Sequence, residues 1–325
     1  MRPYSFDRAR TVRGAVSGAG ANTAFLAGGT TLVDLMKLEV MTPERVVDIN
    51  GLPLRGIGLS RDALRVGALE RMSDVARHRA VRDNFPAIAQ ALDLSASGQI
   101  RNMASIGGNL LQRTRCGYYR DVSTPCNKRE PGSGCSALEG INRTHAVLGT
   151  SESCIATHPS DLAVALVAFG AEVHLASEQG TRVLPLDSFY ELPGDTPHIE
   201  NALRRGELIT DVVVPRSPAA ANSLYLKIRD RQSYEFALSS IAVGLQMRGD
   251  VIVDARLAAG GVATRPWRLK AVEEGLRGRP ATQQTFEAAA RRATEGARTR
   301  QYNAYKPALL RRTVVRALMT LREGA

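Results

Sequence analysis

All four cysteines of this 325-residue chain, Cys116, Cys126, Cys135 and Cys154, fall within one 39-residue stretch. Thiolates are soft donors that suit iron–sulfur clusters or zinc, and four sulfurs are the usual complement of either. The clustering points to one shared ligand. Disulfides belong mostly to small secreted domains, whereas this chain is large and Met1-Arg2-Pro3-Tyr4-Ser5-Phe6 does not read as a signal peptide. Structural zinc usually takes close cysteine pairs, but the gaps here are nine, eight and eighteen residues. A cubane accepts wide spacing, because each thiolate binds a different iron at a different corner. The spacing permits a cluster and leaves zinc open.

Residues 113–144 contain Gly117, Pro125, Pro131, Gly132, Gly134 and Gly140 without a sustained apolar repeat, so a long ordered loop is expected. Two further elements could bind a ligand. Gly28-Gly29-Thr30-Thr31 follows the apolar run Ala24–Ala27, and a glycine pair at a strand end lets backbone N–H groups approach a diphosphate. The same pair also serves as a tight strand-to-helix turn. Gly107-Gly108-Asn109, just before the cysteines, has the same two uses.

The elements that must position these residues are mixed. A strand over 24–27 should feed a helix over 32–38, with further strands over 45–49 and 64–66 and helices over 72–79 and 86–94. Pro159-Ser160-Asp161 is a plausible start for a helix over 161–169, and a hairpin is expected around Glu178-Gln179-Gly180. A strand over 207–214 precedes Pro215-Arg216-Ser217-Pro218-Ala219-Ala220-Ala221, which resembles a linker. Strands over 223–229, 239–248 and 251–259 and helices over 269–276, 282–297 and 304–321 then suggest a compact α+β domain. The expected division is 1–215, with an insertion over 111–158, and 219–325.

With 44% hydrophobic residues the chain can bury several cores. No apolar run approaches the ~20 residues needed to cross a bilayer, so no membrane role is expected. The net charge of +11 is compatible with nucleic acid, an acidic partner or an anionic cofactor. Aromatic residues are only 5%, and zinc-finger spacing, an RNP-type aromatic motif and a basic zipper are all missing, which argues against nucleic acid.

The longer motifs are more specific. Ala27-Gly28-Gly29-Thr30, Ser97-Gly98-Gln99-Ile100-Arg101-Asn102, Ser105–Leu110, Leu111-Gln112-Arg113-Thr114-Arg115-Cys116, Pro125-Cys126-Asn127-Lys128-Arg129, Pro131-Gly132-Ser133-Gly134-Cys135, Cys154–Asp161 and Lys227-Ile228-Arg229-Asp230-Arg231 occur in that order. Together they resemble the FAD-binding subunits of the molybdenum hydroxylase (xanthine dehydrogenase/aldehyde oxidase) family, most closely those of bacterial periplasmic aldehyde oxidoreductases. The resemblance implies an α+β chain: a vanillyl-alcohol-oxidase-type FAD fold of two subdomains, then a domain like the C-terminal one of carbon monoxide dehydrogenase flavoproteins.

Carried over by motif position, Phe25, Leu26, Ala27, Gly28, Gly29, Thr30, Thr31 and Leu32 would wrap the FAD diphosphate. Ser105, Gly108 and Asn109 would contact the ribityl and phosphate region, and Ser160 and Asp161 the sugar side. Ile209 and Lys227 would lie near the flavin ring, where a lysine can stabilise negative charge on the reduced flavin. A subgroup of the family, which includes 4-hydroxybenzoyl-CoA reductase subunits, carries a [4Fe–4S] cluster in an insertion after the second glycine motif. The resemblance therefore makes Cys116, Cys126, Cys135 and Cys154 its ligands. Arg113, Arg115, Arg120, Lys128 and Arg129 would favour the more negative reduced cluster, or balance acidic cofactors, or face a partner. In one departure from the family pattern, Asp93-Leu94-Ser95-Ala96 offers no aromatic residue to cover the flavin ring.

The implied role is electron transfer in a heterotrimer. A large molybdopterin subunit would oxidise aldehydes to carboxylates and a small [2Fe–2S] subunit would relay electrons to FAD on this chain, which would reduce the terminal acceptor. A 4-hydroxybenzoyl-CoA reductase-type subunit, with electron flow toward the molybdenum, and a zinc-stabilised interaction protein are the rivals. The implied compartment is the periplasm, reached by co-export with a signal-bearing partner, with the cytoplasm as the alternative.

Overall fold

The computed structural model describes residues 1–324, which form three sheets. The first is parallel, with β1 (Ser5–Arg8), β2 (Thr23–Leu26) and β3 (Arg45–Asp48) in the order β1-β3-β2. The second is antiparallel. It contains β4 (Ile57–Leu59), β5 (Ala63–Gly67), β6 (Glu172–Ser177), β7 (Gly180–Pro185) and β8 (Leu208–Pro215), in the order β4-β5-β8-β6-β7. The third joins β9 (Ser223–Ile228), β10 (Ser239–Arg248), β11 (Val251–Gly260) and β12 (Trp267–Arg268), in the order β12-β11-β10-β9. Two sheet-based units and a C-terminal one thus give the expected α+β layout.

Helix Asp161–Ala168 joins the second unit to the third. Its sequence, Asp-Leu-Ala-Val-Ala-Leu-Val-Ala, has no polar face, and all eight residues are buried. Such a helix is stable only when surrounded by other elements. Its side chains share one core with Leu64, Val173 and Val212 of the second sheet and with Tyr225, Ala242 and Ala258 of the third. Ser160 caps its start by accepting from the Ala163 N–H (2.9 Å), and Arg268 Nη1 donates to the Val167 carbonyl at its end (3.1 Å). In the C-terminal unit, helix Lys306–Glu323 buries Leu310, Val314, Ala317, Leu318 and Leu321. Their three-and-four spacing is one face of a helix laid on the sheet.

Three expectations need adjustment. The helix expected over 72–79 divides at His78, whose extended backbone separates Met72–Arg77 from Arg79–Asn84. The one expected over 282–297 is regular only over Gln283–Ala290 and tightens into a 3₁₀ turn at Arg291–Thr294. The segment read as a linker forms a helical turn, Pro218–Ala221, with Ala219 and Ala220 fully buried. Small apolar side chains, which read as a spacer, are what permits that packing.

The cysteine insertion is a loop with one helical turn, Gly117–Arg120, and an antiparallel bridge between Cys126 and Cys135. Its far end is fastened to the C-terminal unit. Val147 N–H donates to the Val262 carbonyl (2.8 Å), Asn303 Nδ2 to Ala146 O (3.1 Å) and Lys306 Nζ to Thr144 O (2.8 Å). Lys306 is fully buried, which pushes its amine down to about 7. Val147 and Leu148 complete the C-terminal core. Among the described residues no helix is long and apolar enough to cross a membrane.

Candidate functional site

Strand β2 ends beside the glycine pair, and the two glycines do different work. A Cβ on Gly28 would lie 2.1 Å from the Met103 carbonyl oxygen, so its missing side chain admits the end of helix Gly98–Met103. Gly29 turns the chain with φ +72°, a region that costs an L-residue about 1–2 kcal/mol. Of the two uses open from the sequence, the tight turn is thus served by both glycines. Gly28→Ala should destabilise the flavin-free chain by about 1–3 kcal/mol through overpacking, and no less than Gly29→Ala. Equal melting temperatures for wild type and Gly28→Ala would show that the close approach to Met103 does not exist in solution.

Beyond the turn, Thr30 and Thr31 line a cleft of about 440 Å³ together with Gly108, Asn109, Asp161 and Lys227. Tyr234 and Phe236, from the loop between β9 and β10, line it too. A smaller chamber of about 190 Å³ adjoins it, sharing Arg115, Pro159, Asp161, Glu235 and Phe236 and reaching Cys116 and His145. Residues of both glycine motifs and Lys227 thus border one cleft, and the chamber beside it reaches the first cysteine.

Not every residue singled out from the sequence borders it. Ser105 is buried and caps helix Ile106–Leu110, accepting from the Gly108 N–H at 3.2 Å. Ser160 borders the smaller chamber, but its hydroxyl donates to Asn109 Oδ1 (2.6 Å) while capping its own helix. Ile209 is packed in the core of the second unit and does not line the cleft. Phe25, with Ala27, packs against a third core beneath the first sheet, while Leu26 and Leu32 flank the turn half-buried.

Lys227 does line the cleft, but as half of a buried ion pair. Its Nζ lies 2.7 Å from Asp161 Oδ2 and donates to the Leu94 carbonyl (3.1 Å), and its side chain is only 1% exposed. Tyr225 donates to the other Asp161 oxygen at 2.6 Å. Burial, and then the Asp161 charge, hold the Tyr225 phenol well above its ordinary value, so it remains a donor. The segment Leu94-Ser95-Ala96 is held by Lys227, by Arg229 on Leu94 O and by Arg101 on Ser95 O. Small Ser95 and Ala96 line the cleft at this segment, and Tyr234 and Phe236 line it as well.

All four cysteines line one small pocket in the insertion. Burial pushes the Cys116 thiol up to about 12 and Cys154 to about 11, and raises Cys135 as well. Ionisation of such thiols needs compensating positive charge, which a bound metal supplies. His145 Nε2 sits 3.1 Å from Cys116 Sγ. Among the described residues, no three His, Cys, Asp or Glu side chains are grouped closely enough to hold one ion. The nearby cations are mostly engaged. Arg113 pairs with Glu200, Lys128 with Glu200 (2.9 Å), Arg115 and Arg120 with Asp34, and Arg129 donates to the carbonyls of Tyr118 and Tyr119. Of these, Lys128 borders the thiol pocket itself, where its charge acts on Cys154. Arg115 and Arg120 line the larger cleft instead, a placement that sequence proximity to Cys116 concealed.

Comparison with known proteins follows the same outline. The sequence family described as the FAD binding domain in molybdopterin dehydrogenase matches residues 1–217, and the CO dehydrogenase flavoprotein C-terminal domain matches residues 224–321. The chain is 46% identical over 330 residues to the aldehyde oxidoreductase FAD-binding subunit PaoB of Escherichia coli, covering 100% of both. It is 27% identical to the glyceraldehyde dehydrogenase medium chain of Sulfolobus acidocaldarius, covering 85% of this chain and 82% of that one. A solved carbon monoxide dehydrogenase from Hydrogenophaga pseudoflava superposes with a TM-score of 0.76 over 99% of this chain and 98% of that one, at 24% identity, and so shares the fold. An FAD-binding sequence family, a second flavoprotein domain and an end-to-end relative agree with the cleft between them: the chain belongs to the FAD-binding subunits of the molybdenum hydroxylase family of oxidoreductases.

Proposed function

We propose that the chain is the FAD- and [4Fe–4S]-carrying electron-transfer subunit of a heterotrimeric molybdenum aldehyde oxidoreductase. The observation that carries this reading is adjacency: the chamber beside the glycine-motif cleft shares Arg115 and Asp161 with it and reaches Cys116, the first of four cysteines around one pocket. Each group fits the residues present. Buried, unpartnered donors on Arg115 (Nε) and Arg120 (Nη1) suit an anionic dinucleotide, and four soft sulfurs that do not converge on one ion suit a cubane better than zinc. When bound, FAD would supply two-electron and one-electron chemistry, and the cluster one-electron chemistry.

The protein's own contribution is positional. Asp161 is fixed by Tyr225 and Lys227 at the junction of the cleft and the smaller chamber, and the insertion is bound on one side to Asp34 and on the other to the C-terminal unit. Substrate oxidation is assigned to a large molybdopterin-binding partner, with a small [2Fe–2S] partner between, as the resemblance to the aldehyde oxidoreductase subunit supports. Export, in this reading, depends on the signal-bearing partner.

Anaerobic purification of the chain with its neighbouring subunits tests the assignment. About four iron atoms and one FAD per copy of this chain, with flavin bands over a broad iron–sulfur shoulder, are expected. One zinc and no iron at the cysteines would return the chain to the interaction-protein reading.

A further inference from the structure

Seven charged side chains line the larger cleft: four cations, Arg115, Arg120, Lys227 and Arg231, and three carboxylates, Asp34, Asp161 and Glu235. Two of the carboxylates are each taken by one cation, Asp161 by Lys227 at 2.7 Å and Glu235 by Arg231 at 3.3 Å. The third is shared. Asp34 receives Arg115 Nη1 at 3.2 Å and Arg120 Nη2 at 2.9 Å, so the excess positive charge of the cleft resides on this pair of guanidiniums. Arg115 Nε and Arg120 Nη1 are moreover buried without any hydrogen-bond partner. The two side chains remain 27% and 24% exposed, so an anion held by the pair in the cleft would offset the cost of their unmet donors and shared carboxylate.

Asp34 lies in helix Leu32–Lys37, which follows directly on the Gly28–Thr31 turn, while in the cysteine insertion Arg115 precedes Cys116 and Arg120 ends the Gly117–Arg120 turn. The insertion therefore reaches across and closes the cleft beside the dinucleotide turn. We propose that Arg115 and Arg120 bind the FAD diphosphate, so that the segment carrying the thiol ligands also completes the flavin site. The inference rests on the flavoprotein reading above and adds to it residues supplied by the insertion.

One further observation agrees. Arg115 also lies 5.3 Å from the Phe236 ring, a contact that fixes the guanidinium plane at the wall common to the cleft and the chamber. Bidentate, charge-assisted bonds from arginine to phosphate are among the stronger contacts a protein can offer a nucleotide.

The test uses the full chain, stripped of flavin and titrated with FAD by fluorescence quenching, with riboflavin as a phosphate-free comparison and iron measured on each sample. Arg115→Met/Arg120→Met should weaken FAD by roughly tenfold or more, with riboflavin binding and iron content unchanged. Asp34→Asn provides a contrast of opposite sign. If the arginines bind phosphate, removing the competing carboxylate leaves FAD affinity equal or higher; if they merely anchor the helix through Asp34, it weakens FAD as much as the arginine changes do. An unaltered FAD affinity in the double variant, equal losses for FAD and riboflavin, or the second Asp34→Asn outcome would each overturn the proposal. Should the double variant also lose iron, the Asp34→Asn result decides, because that change leaves the insertion's own residues intact. Failure of the unsubstituted chain to bind FAD would instead remove the flavoprotein reading itself.

Discussion

Exchange of Lys227 for methionine should lower the stability of the chain by about 3–5 kcal/mol, because it strands a buried carboxylate. Lys227 and Asp161 are 1% and 7% exposed and 2.7 Å apart, so neither charge has water to turn to when the other is removed. Tyr225 would still donate to Asp161 at 2.6 Å, which softens the loss without neutralising it. The change would also release the Leu94 carbonyl, and with it part of the hold on the Leu94–Ala96 segment of the cleft wall. Adding Asp161→Asn removes the stranded charge, so the double variant should recover a substantial part of the deficit. Urea denaturation of the four proteins of the cycle measures this. A loss below about 1 kcal/mol for Lys227→Met alone would mean that the pair is solvated and worth no more than a surface ion pair. The pairing also changes what the lysine can do for a flavin. Its charge is already balanced by Asp161, so a shift in flavin potential on its removal would report the Lys227–Asp161 unit and not an isolated cation.

Much of the fold was legible because its signals are local. The apolar run of β2 before Gly28, the largely apolar stretches of β10 and β11, and the serine before Asp161 each announce an element from a few neighbouring residues. Strand β1 was not legible: its four residues, Ser5–Arg8, are all exposed, and it exists only because β3 offers it a parallel edge. The site divides in the same way. Glycine pairs and cysteines are conspicuous by residue type, so the turn and the thiol pocket could be marked in advance. Arg115 and Arg120 could be seen only as neighbours of Cys116, since their contact with Asp34 spans more than eighty positions. Tyr234 and Phe236 gave no signal, because an aromatic residue in a short polar loop is unremarkable until the loop is folded over the cleft. Ser105 and Ser160 illustrate the converse: a motif position can be right about the neighbourhood and still be occupied by a residue whose own bonds go to a helix end.

Replacing Cys135 by serine should abolish the intact cluster and weaken FAD binding, but the flavin loss should be smaller than in Arg115→Met/Arg120→Met. A serine oxygen is a harder and less acidic ligand than a thiolate, so iron should fall from about four atoms per chain to about three or none. Cys135 faces Cys126 across the antiparallel bridge, and the adjoining stretch is braced by Asn127 Oδ1 on the Gly134 N–H (2.8 Å). Loss of the metal therefore loosens that hairpin first. The arginines belong to the other end of the insertion. They are held by Asp34, at 3.2 and 2.9 Å, without any metal. The far end is held independently by Lys306 and Asn303. With both ends fastened, the cation pair should stay near the cleft, so FAD affinity should drop by less than tenfold while iron is lost. Iron analysis, reduced-state EPR and FAD titration on one preparation separate the cases. Full iron with an unchanged EPR signal would remove Cys135 from the ligand set. Loss of FAD as complete as in the arginine variant would mean that the insertion keeps its shape only around the metal.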